Sequence, residues 1–424
     1  MELGRSLLGV LMLIGIGYAL SINRGAISWR TVIAAVAVQM AIGAFVLFVP
    51  FGKDMLDVLA KGVNHILDFG NRGIEFMFGG LVKPKMFELF GGDGFVFALR
   101  VLAQIIYVTA LIAVLYYLGV MRWVITILGT IFQKLLGVSK VESFCGVSTI
   151  FLGQSEMPAL VKPFINQLKG PEVFAILVSG MASVAGSILA GYAGLGVKME
   201  YLLAASFMAI PGGLLFAKLM CPTTEPSTLV LDELNFDDHK PANVIEAAAS
   251  GASIGMKIAV NVGAMLIAFI ALIALVNGLV GGVAEYMGFK GVNLEKILGY
   301  VFAPVAYMIG VSSEHTNLAG NLIGQKLILN EFVAYVGLAP YLKDAASVAA
   351  AGLPLLDKKT IVILSVALCG FANFTSIAIM AGAFGSIAPE TRGLVARYGL
   401  RVVAAATLSN LMSATIAGIF VSLA

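Results

Sequence analysis

Four polar side chains stand where this sequence is otherwise strongly apolar: Gln154, Glu156, Glu331 and Asn373. A carboxylate at the centre of a membrane-buried helix costs about 2.5–3.5 kcal/mol on insertion scales, so one that persists there has a partner or a task. Gln154 and Glu156 lie in Gly153-Gln154-Ser155-Glu156-Met157-Pro158. An amide offers a donor and an acceptor, and an ionised carboxylate accepts only, so the pair suits the edge of a nucleobase. The competing reading puts Glu156 near the surface, at a hairpin end capped by Pro158. Glu331, after Asn330, could accept two hydroxyls of a sugar or could cap an interfacial helix. Asn373 and Ser376 are three apart and share a helix face. With Phe371 beside them they offer an aromatic wall with two polar contacts, although small polar residues also hydrogen-bond between helices in membranes. Thr149 and Ser183 are hydroxyls beside two further interruptions. With freed backbone carbonyls they could bind a hard monovalent cation, or they could only satisfy broken backbone.

The elements that must hold these groups are membrane helices. Of 424 residues, 59% are hydrophobic and 12% charged, and mean hydropathy is +0.97. A soluble protein carries about 25% charged residues. The net charge of +3 and the lack of any basic run argue against a nucleic-acid partner. Cys145, Cys221 and Cys369 have no paired spacing, and His65, His239 and His315 are scattered. That pattern gives neither a disulfide framework nor a zinc site, and it speaks against a cofactor or metal enzyme. Met1 to Leu20 has a single early Arg and an apolar run reaching Ala19-Leu20, which predicts a first transmembrane helix rather than a signal peptide.

A span needs roughly 20 mostly apolar residues. Eight candidates meet or approach this: Leu7–Leu20, Val32–Pro50, Phe95–Leu118, Phe174–Leu195, Tyr201–Met220, Ile258–Val280, Ile361–Met380 and Val402–Leu423. Phe51 to Phe90 mixes charge and apolar residues at helical spacing, as a helix lying along the interface does. Glu225 to Asp238 is acidic and predicts a solvated loop. Cys145–Gly170 and Tyr300–Asn330 are apolar but broken midway, the second by Gly310 to Asn317, which includes Glu314 and His315. Both are expected to be re-entrant hairpins with turns buried in protein. His315 is read as a polar turn residue. Each hairpin is followed by an apolar helix interrupted by small polar residues, around Ser183 to Ser187 and around Ala372 to Ser376. This double occurrence points to inverted repeats with a site at their interface. Lys and Arg cluster after the first span, around the first hairpin and before the last span, placing that side in the cytoplasm and both termini outside it. An intramembrane enzyme would need a metal cluster, a nucleophile with its base, or a phosphate loop, and no such motif is present.

These residues carry a resemblance to the concentrative nucleoside transporter family over essentially the whole chain. Its motifs are Glu142-Ser143-Phe144, Gly153-Gln154-Ser155-Glu156, Pro211-Gly212-Gly213, Asn261-Val262-Gly263-Ala264-Met265, Asn330-Glu331-Phe332-Val333-Ala334 and Gly370-Phe371-Ala372-Asn373-Phe374-Thr375-Ser376, in that order. The resemblance implies an all-α polytopic membrane protein of eight transmembrane helices, two re-entrant hairpins and interfacial helices in inverted repeats. Residues 1–94 would be scaffold, 95–254 the first repeat and 255–424 the second. It further implies a homotrimer in the lipid of the bacterial inner membrane, importing nucleosides such as uridine by an elevator motion. Gln154, Ser155 and Glu156 would contact the base, with Ile188 and Ile258 packed against it. Glu331, Asn373 and Ser376 would contact the ribose, with Phe371 nearby. Thr149, Ser183 and the carbonyls of Leu152 and Val184 would hold a sodium ion. Sodium-coupled members commonly have Asn in place of Thr149 and Thr in place of Ser155, and some bacterial relatives with Gly-Gln-Ser-Glu are proton-coupled. Sodium is the expected coupling ion and the proton the alternative.

Overall fold

The computed structural model describes residues 2–90, 95–223, 241–389 and 391–423. The expected loop Glu225–Asp238 lies outside them. Among the described residues every regular element is helical. The α-helices run α1 Glu2–Ala19, α2 Trp29–Leu47, α3 Pro50–Phe78, α4 Lys85–Phe90, α5 Ala103–Tyr117, α6 Val120–Leu136, α7 Lys140–Ser148, α8 Met157–Val161, α9 Gly170–Ala182 and α10 Gly186–Gly194. They continue with α11 Met199–Met220, α12 Val244–Tyr286, α13 Leu294–Met308, α14 Thr316–Ile328, α15 Glu331–Leu338, α16 Ala345–Ala350, α17 Lys358–Ala367, α18 Phe374–Ile387 and α19 Thr391–Leu423.

By length and composition six stretches can cross a membrane: Trp29–Leu47, Ala98–Tyr117, Gly170–Gly194, Met199–Met220, Val244–Tyr286 and Thr391–Leu423. Two shorter apolar helices, Leu3–Ala19 and Phe374–Ser386, accompany them. Their burial separates two roles. The apolar windows of Gly170–Gly194 and Met199–Met220 are 94% buried, whereas that of α12 is 11% buried. Thus α9, α10 and α11 form the interior, with α19 as a central post packed by α1, α2, α9, α11, α17 and α18. On the outside, α12 lies along α5. Gly251 and Gly255 make that approach possible, because a Cβ on Gly255 would stand 2.7 Å from Ile106 Cα. This is the small-residue spacing that lets membrane helices close on one another.

The predicted interfacial segment is mainly one helix, α3, started by Pro50 at its first turn. It leaves Phe51, Met55, Val58, Ile66, Phe76 and Met77 exposed. The α7 start is fixed by a reciprocal cap. Ser139 Oγ accepts from Glu142 N at 3.3 Å, and Glu142 Oε2 accepts from Ser139 N at 3.0 Å. The other Glu142 oxygen pairs with the buried Lys218 ammonium at the end of α11.

One expectation needs correction. The polar run Gly310 to Asn317 is a corner between α13 and α14, not a turn buried in the core. Ser313, Glu314 and Asn317 there are exposed, and Ser312 donates to Asp357 Oδ2 at 2.7 Å. The break that faces the interior lies further on, at Leu329-Asn330 between α14 and α15. Its signal was the Asn-Glu pair, since Asn330 caps α15 by accepting from Val333 N at 2.9 Å. The expected division at 254/255 lies within α12, a continuous helix over Val244–Tyr286. Finally, α6 belongs to none of the expected spans, its apolar sequence being interrupted by Arg122, Gln133 and Lys134.

Candidate functional site

Four interruptions meet inside the helical body. The tip between α7 and α8 carries Gly153 to Glu156. The break between α9 and α10 is Ser183-Val184-Ala185. The tip between α14 and α15 is Leu329-Asn330, and the break between α17 and α18 runs from Leu368 to Asn373. Small residues and Asn caps stop these helices because they satisfy freed backbone groups locally. The two broken helices touch through backbone, Phe371 N donating to Ser183 O at 3.2 Å.

These elements and one face of α12 enclose a cavity of about 230 Å³. All nine residues expected to contact solute line it: Gln154, Ser155, Glu156, Ile188, Ile258, Glu331, Phe371, Asn373 and Ser376. Four of them form a continuous chain. Gln154 Nε2 donates to Ser376 Oγ at 2.9 Å. Ser376 N donates to Asn373 Oδ1 at 2.9 Å, capping α18. Asn373 Nδ2 donates to Glu331 Oε2 at 3.0 Å. Residues 222 and 42 positions apart are thereby joined.

The chain leaves capacity for a guest. Gln154 Oε1 is buried and has no hydrogen-bond partner. An unpaired buried acceptor costs about 1–3 kcal/mol, which a donor on a solute would recover. Glu156 is half-buried and accepts from Gly153 N at 3.0 Å, so it braces its own tip while lining the cavity. Ser155 is the exposed member of the set.

Sequence reasoning passed over other lining residues, including Asn261, Met265, Ser187, Phe332 and Thr375. Asn261 and Met265 are four apart on α12, a spacing that places both on one face. Thr375 Oγ1 donates to the Leu329 carbonyl at 3.2 Å, tying α18 to the tip before Glu331.

The four residues expected to hold a cation cluster beside the cavity. Ser183 Oγ donates to Thr149 O at 3.2 Å and to Ser179 O at 2.9 Å. Thr149 Oγ1 donates to Gly146 O at 2.7 Å. Val184 is fully buried and Leu152 half-buried. Carbonyl and hydroxyl oxygens at unwound helix ends are ligands suited to a hard monovalent cation.

A largely apolar chamber with a line of buried polar groups, closed by discontinuous helices within an apolar body, defines a membrane transporter rather than an enzyme. The chain belongs to the Na+-dependent nucleoside transporter family. Residues 8–81 match the family's N-terminal part, "Na+ dependent nucleoside transporter N-terminus", and 201–418 its C-terminal part. Residues 98–199 match the region described as "Nucleoside recognition". Among its relatives is the nucleoside permease NupC of Helicobacter pylori, 43% identical over 418 residues, which are 99% of this chain and 98% of that one. The sodium/nucleoside cotransporter 1 of Mus musculus is 34% identical over 424 residues, covering 98% of this chain and 63% of that one. A solved structure of CNTnw in an inward-facing substrate-bound state superposes with a TM-score of 0.95 at 50% identity, covering 100% of this chain and 99% of that one.

Proposed function

We propose that the cavity binds one nucleoside, such as uridine, and that the chain imports it together with a cation by alternating access. The observation that carries this is the hydrogen-bonded chain Gln154–Ser376–Asn373–Glu331 along one wall of the cavity. It presents an unpaired amide oxygen at one end and a carboxylate at the other. Gln154, Ser155 and Glu156 read the base, with Ile188 and Ile258 against its faces. Glu331, Asn373 and Ser376 take the ribose hydroxyls beside Phe371.

In this reading α7–α8 and α14–α15 are re-entrant hairpins, and the runs α5 to α11 and α12 to α19 are inverted repeats. Their order supports this: long helix, second helix, hairpin, broken helix and long helix occur in both. Six full-length spans with the two shorter apolar helices make eight crossings. The hairpins and broken helices move as a body against α5, α12 and the N-terminal 94 residues. The exposed apolar face of α12, with Ile254, Val260, Ile267, Leu275 and Leu279 outward, suits lipid and the neighbouring copies of a homotrimer. The membrane is the bacterial inner membrane.

Sodium is the coupling ion, held by Thr149, Ser183 and the carbonyls of Leu152 and Val184. The Thr149–Ser183 contact and the family description favour it over the proton. Ion and solute share the tip that follows Thr149, so each stabilises the closed arrangement the other needs.

Equilibrium binding of uridine to purified protein tests the reading. Gln154→Leu removes a donor and an acceptor and leaves polar partners unpaired, at about 1–3 kcal/mol, so affinity should fall roughly tenfold to a hundredfold. Unchanged uridine affinity in this variant would remove the base-reading role.

A further inference from the structure

Lys326 is a buried cation that does not line the solute cavity. It lies on α14, five residues before Glu331, and is 3% exposed. Its ammonium donates to the Ala367 carbonyl at 2.8 Å and to Asn410 Oδ1 at 2.6 Å. Ala367 ends α17, so its carbonyl lacks an intrahelical partner and stands at the negative end of that helix. The Asn410 amide, on α19, reaches the other way. Its Nδ2 donates at 2.6 Å to the carbonyl of Ala182, the last residue of α9, and at 3.3 Å to that of Cys369. One ammonium and one amide thus gather carbonyls from the C-terminal ends of both broken helices.

A neutral donor could satisfy those carbonyls without the several kcal/mol that burying an ion costs. What faces the ammonium directly is the Ala367 carbonyl at the negative end of α17 and the Asn410 amide oxygen, and the end of α9 is reached only through that amide. The proposed ion ligands at the first break, around Thr149 and Ser183, are oxygens of the same kind, and there the cation comes from solution.

We propose that Lys326 is a positioning residue, a tethered cation that does at the second break what the coupling ion does at the first. Through Asn410 it draws the ends of α9 and α17 together and so holds Phe371, Asn373 and Ser376 against Glu331. The ribose half of the site is therefore permanently assembled, and the base half, on the tip after Thr149, is completed by the ion. This rests on the nucleoside-transport reading above.

The test is binding of uridine and of 2′,3′-dideoxyuridine to purified wild type, Lys326→Gln and Lys326→Ala. Wild type should prefer uridine at least tenfold, since its ribose hydroxyls find Glu331. Lys326→Gln keeps a donor but loses the charge; its uridine affinity should fall at least tenfold and the preference should collapse towards one. In Lys326→Ala, saturating ethylammonium should restore at least half of the lost preference, an effect a merely structural lysine would not show. Wild-type preference retained in Lys326→Gln, or no amine effect on a folded Lys326→Ala, overturns the proposal. If Lys326→Ala does not fold, Lys326→Gln decides; if that too fails to fold, the proposal falls, because the charge then serves folding. Failure of wild type to bind uridine would instead overturn the reading of the site.

Discussion

Uridine uptake should disappear in Glu331→Ala while the protein keeps its fold. The carboxylate is buried, 5% exposed, and on the described geometry one oxygen accepts from Asn373 Nδ2 at 3.0 Å. Hydrogen bonds to a charged acceptor contribute roughly 1.5–3 kcal/mol each, and loss of two sugar hydroxyl contacts therefore corresponds to about a hundredfold or more in affinity. The backbone of α15 does not depend on this side chain, because Asn330 supplies the cap. Size-exclusion behaviour should accordingly stay close to wild type, with melting lowered only by the about 1–3 kcal/mol that the stranded Asn373 amide costs. Initial-rate uptake of labelled uridine in proteoliposomes gives the answer, and full uptake in Glu331→Ala would remove the residue from the site.

A comparably large loss is expected from Gly370→Val, which touches no solute. A Cβ at position 370 would lie 2.7 Å from the Ala182 carbonyl and would strike both polar atoms of the Asn410 side chain. Neither neighbour can retreat, since Asn410 donates to that same carbonyl and receives the Lys326 ammonium. The substitution forces α9 and α17 apart where Phe371 N meets Ser183 O. Overpacking in a filled interior costs about 1–3 kcal/mol, and each carbonyl stranded without a donor adds about 1–3 kcal/mol. Uptake should be lost and the melting temperature lowered. Wild-type uptake in Gly370→Val would show that the crossing is slack enough to tolerate a side chain.

The polar residues were legible in the sequence because lipid makes them conspicuous: an amide or carboxylate inside an apolar run has few bland explanations. Gln154, Glu331, Asn373 and Ser376 were all visible for that reason, and they meet in one cavity. The second interior break was misplaced by the same logic. Gly310 to Asn317 is the more polar run, yet it is a partly exposed corner, whereas the break at Leu329-Asn330 carries only a cap and a carboxylate. Polarity marks where backbone is freed but not which side of the protein it faces. Asn261 and Met265 were passed over as site residues because α12 is apolar around much of its circumference, and only its packing around the cavity reveals its inner face. The Lys326–Asn410 link was illegible, since its partners are backbone carbonyls of two distant segments and carry no side-chain signature.

Uridine accumulation in proteoliposomes under an inward sodium gradient at equal pH tests the account most directly. The pocket and the proposed ion ligands together predict accumulation above the external concentration, abolished when sodium is equal on both sides. Uptake that only equilibrates, or that follows a pH gradient and ignores sodium, would contradict it.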